Sequence, residues 1–433
     1  MSGPARIGFS SCAALVVANM VGTGVFTSLG FQVAEIPSPS AIMLLWLLGG
    51  ILALCGALCY AELASALPRS GGEYNFLGQI YHPAAGFMAG IVSVVVGFAA
   101  PVALSAMAFG SYLHGVSPRL APQASAVAAV IIVTLVHLRS LRTSSIFQIS
   151  FTALKVALVI FLSLALLGAA PAQAAQAGVW SSYVFTGPFA VSLMYTLYAY
   201  SGWNAATYVL GEVKNPGRSV PLALAAGTIL VTVLYLSLNY AFLRSTPAGK
   251  LAGEMNVAQI AAESAFGPAG GRAVAALIAL GLISALSAMV WAGPRVAMVL
   301  AEDHPRLLGA LAKRNAAGIP ARAVIAQGAL ATALLLSSTF EHVLVYAQFA
   351  LLACGFLTVA GVFVLRRRQP DLPRPFRVPL YPLTPLLFMA ISGFAMVYTF
   401  LSRPLEAGCG ILTLLASLGV YFVAARTAKE SRP

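Results

Sequence analysis

The chain of 433 residues has little charge: Asp, Glu, Lys and Arg together make up 9%, against 60% hydrophobic residues. Length alone would allow two or three soluble domains. A mean hydropathy of +0.89 excludes them and reads as an integral membrane protein. Acidic side chains are scarcest, 12 against 25 basic ones, and the resulting net charge of +13 could suggest a nucleic-acid partner. The basic residues sit in short loops between apolar runs, so they read as a topology signal and no nucleic acid is expected. The five cysteines (Cys12, Cys55, Cys59, Cys354, Cys409) lie in apolar stretches without metal-ligand spacing, which makes them packing residues rather than a disulfide framework or zinc site. The five histidines (His82, His114, His137, His304, His342) complete no Ser/His/Asp, Cys/His or metal constellation, and no P-loop is present. Enzymes and ATP-driven pumps are therefore set aside, and no metal or cofactor is expected.

Spans of about 20 apolar residues predict an all-α membrane protein of about twelve helices: 7–34, 41–67, 84–113, 123–138, 145–168, 185–211, 220–243, 269–301, 322–338, 341–366, 382–402 and 406–426. No connection is long enough to fold separately, so residues 1–433 read as one membrane domain. The segment 245–267 is the largest candidate external loop, with a short surface helix in it, and 302–321 forms another substantial loop. Residues 169–178 form an Ala-rich connector. Met1–Arg6 is too short for a cleavable signal, so the first span is expected to be retained. With the N-terminus inside, one side receives Arg6, Arg69, Arg139, Arg142, Lys214, Arg218, Arg306, Lys313, Arg314, Arg322, Arg366, Arg367, Arg368, Arg374, Arg377, Arg426, Lys429 and Arg432. The other receives Arg119, Arg244, Lys250, Arg272 and Arg403. This bias predicts cytoplasmic N- and C-termini in a plasma (inner) membrane.

Two spans are interrupted. The sixth runs apolar from about Phe185, meets Ser201-Gly202-Trp203-Asn204, resumes over Ala205–Leu210 and leaves the apolar phase at Gly211-Glu212. The first runs apolar from Ile7 to Val21, meets Gly22-Thr23-Gly24 and resumes at Val25. A Ser-Gly pair can simply kink a helix. Paired breaks in corresponding positions of two halves instead point to a substrate site at the membrane midplane, where freed backbone groups face a protein-lined cavity.

Four ordered motifs carry a resemblance. They are Gly22-Thr23-Gly24-Val25-Phe26; Tyr60-Ala61-Glu62-Leu63 with Pro68-Arg69-Ser70-Gly71-Gly72-Glu73-Tyr74; Tyr198-Ala199-Tyr200-Ser201-Gly202-Trp203-Asn204 with Glu212 and Lys214-Asn215-Pro216; and Ala292-Gly293-Pro294-Arg295. Together they resemble amino acid permeases of the amino acid–polyamine–organocation superfamily, especially the L-type and related bacterial branch. The resemblance implies a LeuT-type fold with two inverted five-helix repeats (7–168 and 185–366), two peripheral helices (382–426), and an amino acid bound between the first and sixth helices. Some eukaryotic members pair with a single-span subunit, which nothing in this sequence supports.

An amino acid brings a carboxylate and an ammonium. The N–H groups opening the half-helix after Gly22, Thr23 and Gly24 suit the carboxylate, because the two glycines allow close backbone approach and the helix N-terminus carries the favourable dipole sign. Carbonyls freed around Tyr198, Ala199 and Ser201, beside Gly202 and Asn204, suit the ammonium. By resemblance Tyr198 covers the substrate from outside; a packing tyrosine is the alternative. Trp203 either lines the pocket or packs in the scaffold. Lys155 lies about ten residues into its helix, about 15 Å of rise, too deep for easy snorkelling. In related permeases a fifth-helix lysine occupies the place of Na⁺ in sodium-coupled members. Ser284 and Ser287 are the partners expected for it, in a gating or a tethering role.

No Asp or Glu falls in mid-span, and positions 205 and 206 are alanines, so a dicationic substrate would lack a counter-charge. Glu62, Arg69, Glu73, Glu212 and Arg295 could form a gate network, or could be ordinary topology charges and caps. The expected function is sodium-independent secondary transport of neutral amino acids, by exchange or by proton-coupled uptake. A membrane amino acid sensor, or a carrier of cationic amino acids or polyamines, is the alternative.

Overall fold

A computed structural model describes residues 7–139, 145–169, 180–316 and 318–430. Arg6, Arg142, Arg432 and all but the first residue of the 169–178 connector lie outside them. Apart from one isolated bridge, the described residues form helices and loops, as the period of the apolar runs requires. Among the described residues, ten helical spans are long and apolar enough to cross a membrane. The two other expected spans are the sixth, which is divided, and the ninth, the 17-residue helix Ala321–Ser337.

Local chemistry sets several helix starts. Pro39 follows Ser38, whose hydroxyl accepts from the Ala41 N–H (3.4 Å); Pro83 follows His82, whose Nδ1 accepts from Ala84 (3.1 Å). Gly187-Pro188 follows Thr186, whose hydroxyl accepts from Phe189 (3.4 Å). Each cap satisfies one of the donors a helix leaves open, while proline supplies a fixed φ where no N–H is needed.

The eighth span departs from expectation. It starts at Val257 rather than near 269 and runs to Asp303, turning a corner at Gly267, whose φ of 75° a residue with a Cβ rarely adopts. The expected external loop thus shrinks to residues 246–256, which hold the short helix Ala248–Leu251. The Gly253 N–H donates to the Gly30 carbonyl (2.9 Å), laying this loop on the far half of the first span. The third span, Pro83–Val116, contains a wide π-helical turn at Ser93–Ala99. The 302–321 loop carries the helix Pro305–Ala312.

Glycine and other small residues let helices approach closely. Gly49 lies against Thr196, Gly50 against Thr232, and Gly227 against Val16, which packs the second span on the sixth and seventh and the seventh on the first. One core cluster surrounds the interrupted helices. A second, including Val102, Ala106, Val130, Leu286, Val290 and Val324, joins the third, fourth, eighth and ninth spans.

At the arginine-rich end, Glu62 is buried (1% exposed). It accepts from Arg366 through Nε (2.8 Å) and Nη2 (2.6 Å) and from the Val378 N–H (2.7 Å), with Arg374 Nε at 3.6 Å. The cluster fastens the segment after the tenth span, Phe340–Arg368, onto the second. Nearby, the Ile7 N–H donates to the Glu212 carbonyl and the Lys214 N–H to the Ile7 carbonyl, both at 2.8 Å. That bridge joins the near half of the first span to the far half of the sixth.

Candidate substrate site between the broken helices

Both breaks are real. The first span is helical over Phe9–Met20, turns at residues 21–23 and resumes over Gly24–Glu35. The sixth is helical over Gly187–Ala199, leaves that geometry at residues 200–204 and continues as the 3₁₀ helix Ala205–Glu212. Gly202 has φ +99°, and a Cβ there would meet the Asn19 backbone at 2.8 Å, so only glycine fits. The two breaks touch: a Cβ on Gly24 would fall 2.5 Å from Ala199 Cα. Gly24 is therefore a packing glycine as well as an expected ligand-facing one. Gly22 differs, because a Cβ there would meet nothing nearer than the Met20 carbonyl at 3.9 Å.

The first break frees carbonyls on one side and N–H groups on the other, as a helix end and a helix start must. Lys155 Nζ donates to the Val21 carbonyl (2.6 Å), with the Ala18 carbonyl at 3.5 Å. The Tyr235 hydroxyl, on the seventh span Pro216–Ser245, donates to the Met20 carbonyl (2.6 Å) and lies 3.2 Å from that of Ala199. One fully buried side chain thus spans both breaks. The opposite side keeps the first-turn N–H groups of Gly24 and Val25, with the positive end of the helix dipole behind them. The Thr23 hydroxyl pairs with Ser105 of the third span at 2.8 Å and adjoins the Tyr198 hydroxyl.

At the sixth break the Ser201 N–H returns to the Tyr198 carbonyl (3.0 Å), and the Ser201 hydroxyl lies 3.2 Å from Gln348 Oε1 and 3.3 Å from the Leu197 carbonyl. Asn204 Nδ2 donates to Glu73 Oε1 at 2.6 Å. The same carboxylate accepts from Tyr60 (2.9 Å) and Tyr208 (2.6 Å), which ties the second span and the far half of the sixth to one acid. Trp203 packs edge-on against Tyr60 with ring centroids 4.7 Å apart, a scaffold position. Residues 201–204, Asn19 and Gly22 are partly exposed, whereas 23–33 and 189–200 are buried. The breaks are therefore open on the side of Phe9–Met20 and Ala205–Glu212, and sealed on the other, where Phe31 stacks on Phe340 at 5.5 Å.

One expectation needs correction, and one open alternative takes its second form. Lys155 does not reach Ser284 or Ser287: its nitrogen is taken by first-span carbonyls, and its contact with the eighth span is through Gly281, where a Cβ would lie 3.2 Å from Lys155 Cγ. Ser287 instead pairs with His137 Nε2 at 2.9 Å, and Ser284 is buried without a bond to the lysine. The gate residues also divide into separate sets. Arg69 pairs with Asp303 (3.5 Å), Arg295 bonds the Trp291 carbonyl and lies over its ring, Glu62 holds Arg366, and Glu73 serves the sixth-span break. Glu212 takes part through its backbone carbonyl. Tyr235, Ser105 and Gln348 went unnoticed in the sequence, where each is one polar residue in an apolar run.

Apolar spans around paired helix breaks define an integral multi-pass membrane protein of the transporter class. The chain belongs to the amino acid permease family, whose model matches residues 7–421. It is 28% identical over 432 residues to the Asc-type amino acid transporter 1 of Mus musculus, covering 96% of this chain and 81% of that protein. It is likewise 28% identical to the serine/threonine exchanger SteT of Bacillus subtilis (strain 168), covering 96% of each, and to the large neutral amino acids transporter small subunit 2 of Mus musculus, covering 96% and 80%. The family and these relatives are transporters, not enzymes, and amino acid transport is the function they support.

Proposed function

We propose that the chain is a sodium-independent carrier that exchanges neutral amino acids by alternating access. The substrate carboxylate binds at the N–H groups after Gly22, Thr23 and Gly24, and its ammonium at carbonyls of Tyr198–Ser201. In this reading residues 7–168 and 185–366 are two inverted repeats, 382–426 are peripheral, and the arginine-rich end faces the cytoplasm of a cell with the carrier in its plasma membrane. The open side of the breaks is then the cytoplasmic one.

The observation that carries the reading is Lys155. Its side-chain nitrogen sits on the Val21 carbonyl at 2.6 Å and beside that of Ala18, occupying the carbonyl cluster that a sodium ion would need. Neutral specificity is supported by Ala205 and Ala206 behind the break and by Glu73, the acid that touches it, whose oxygens already accept from Asn204, Tyr60 and Tyr208. A second cationic group on the substrate would find no uncommitted acid there among the described residues. Exchange rather than proton-coupled uptake is supported by the exchanger among the relatives.

The test is uptake of labelled alanine, serine, leucine, lysine and putrescine into proteoliposomes, with sodium or choline outside, with and without internal amino acid, and with and without a proton gradient. Neutral uptake that needs internal amino acid and ignores sodium supports the reading. Sodium-driven uptake, or a preference for lysine or putrescine, overturns it.

A further inference from the structure

Gln348 lies on the tenth span, Phe340–Arg368, and is 95% buried. It faces the sixth-span break: its Oε1 lies 3.2 Å from the Ser201 hydroxyl, while its Nε2 donates to no group among the described residues. Turning the carboxamide over changes the labels and not the situation, since one polar atom meets Ser201 and the other meets no protein partner. Ser201 has one hydroxyl proton for two acceptors, the Leu197 carbonyl and Gln348, so its oxygen retains lone pairs able to accept. A turn further along the tenth span, Leu351 lies opposite Gly97, in the π-helical turn Ser93–Ala99 of the third span. Such turns widen a helix locally and recur at functional sites. An uncommitted amide and a hydroxyl with spare lone pairs thus face each other beside the proposed ammonium-binding carbonyls.

We infer that Gln348 and Ser201 form the side-chain subsite and select small neutral amino acids that carry a hydroxyl. A substrate hydroxyl is both donor and acceptor, so it can give its proton to Ser201 Oγ and receive one from Gln348 Nε2. An apolar side chain of the same shape leaves the buried amide unpaired, and a site built to bond a hydroxyl discriminates strongly against the analogue lacking it. Threonine and valine differ in this respect while sharing a shape. The inference rests on the reading that the amino acid binds at the two breaks.

The experiment compares threonine with valine, and serine with alanine, as substrates of purified protein in proteoliposomes, for the wild type, Gln348→Leu and Gln348→Glu. The wild type should favour threonine over valine in kcat/KM by about tenfold or more. Gln348→Leu should bring that ratio near unity, with the change carried by threonine. Gln348→Glu keeps a hydrogen-bonding group and should hold the ratio above that of the leucine variant. Equal use of threonine and valine by the wild type overturns the inference, and this outcome needs no variant to fold. So does a Gln348→Leu protein whose ratio matches the wild type. A wild type that moves none of the four amino acids refutes instead the reading that the chain carries neutral amino acids.

Discussion

A methyl group added to Gly22 and, separately, to Gly24 distinguishes a ligand contact from a packing contact within one turn of chain. On Gly24 the new carbon would lie 2.5 Å from Ala199 Cα, 2.8 Å from its Cβ and 3.0 Å from its nitrogen. None of these is the end of a flexible side chain, so the two broken helices must separate. Overpacking of this kind costs about 1–3 kcal/mol, and Gly24→Ala should show it as a lower melting temperature in detergent without any substrate present. On Gly22 the nearest atom is 3.9 Å away, so Gly22→Ala should melt as the wild type does. Its effect should appear on adding substrate, because the methyl stands beside the N–H groups that the carboxylate must approach. Losing one hydrogen bond to a charged group costs about 1.5–3 kcal/mol, which is about a ten- to hundredfold rise in Kd. At a substrate concentration that stabilises the wild type, the variant should gain correspondingly less. A Gly22→Ala protein that binds alanine with wild-type affinity would refute the first-break site. A Gly24→Ala protein as stable as the wild type would refute the contact between the breaks.

Tyr235→Phe removes the hydroxyl between Met20 and Ala199; it should cost about 1 kcal/mol of stability and weaken substrate affinity, read by thermal unfolding with and without substrate. Lys155→Ala leaves the Val21 and Ala18 carbonyls without their cation, and exchange should slow by at least about tenfold if the ammonium organises the break; an unchanged rate would show the lysine to be dispensable. Glu62→Gln leaves two arginines facing a neutral group in a site where Glu62 is 1% exposed, which should cost about 3–5 kcal/mol. Glu302→Gln, in an ion pair with side chains 54% and 48% exposed, should change the melting temperature little.

The breaks were legible because glycine and polar residues in mid-span have few explanations in lipid, and the span limits follow from apolar length. Gly267 was not legible as a corner inside a helix, since a glycine followed by Pro268 reads equally well as a loop, and the eighth span was expected to start twelve residues late. The partner of Lys155 was misread for a different reason. Depth along a helix can be counted from sequence, but the direction of a side chain around the bundle depends on how helices pack, and Lys155 turned toward Val21 rather than Ser284. The parts of Tyr235, Gln348 and Glu73 at the breaks are likewise tertiary: each meets a residue more than thirty positions away.

The short backbone bridge at Ile7 and Val213 has a mechanical consequence. The half-helices it joins lie on the open side of the breaks, and each meets its other half at a glycine-containing joint, Gly22 in one case and Gly202 in the other. Tied at their outer tips and hinged at their inner ends, they form a two-ply lever whose plies share any load. A displacement of one ply at its glycine joint would load the other ply through this bridge. Ile7 and Val213 are in that case the place where the two plies exchange load, at the end of each half-helix furthest from the glycine joints.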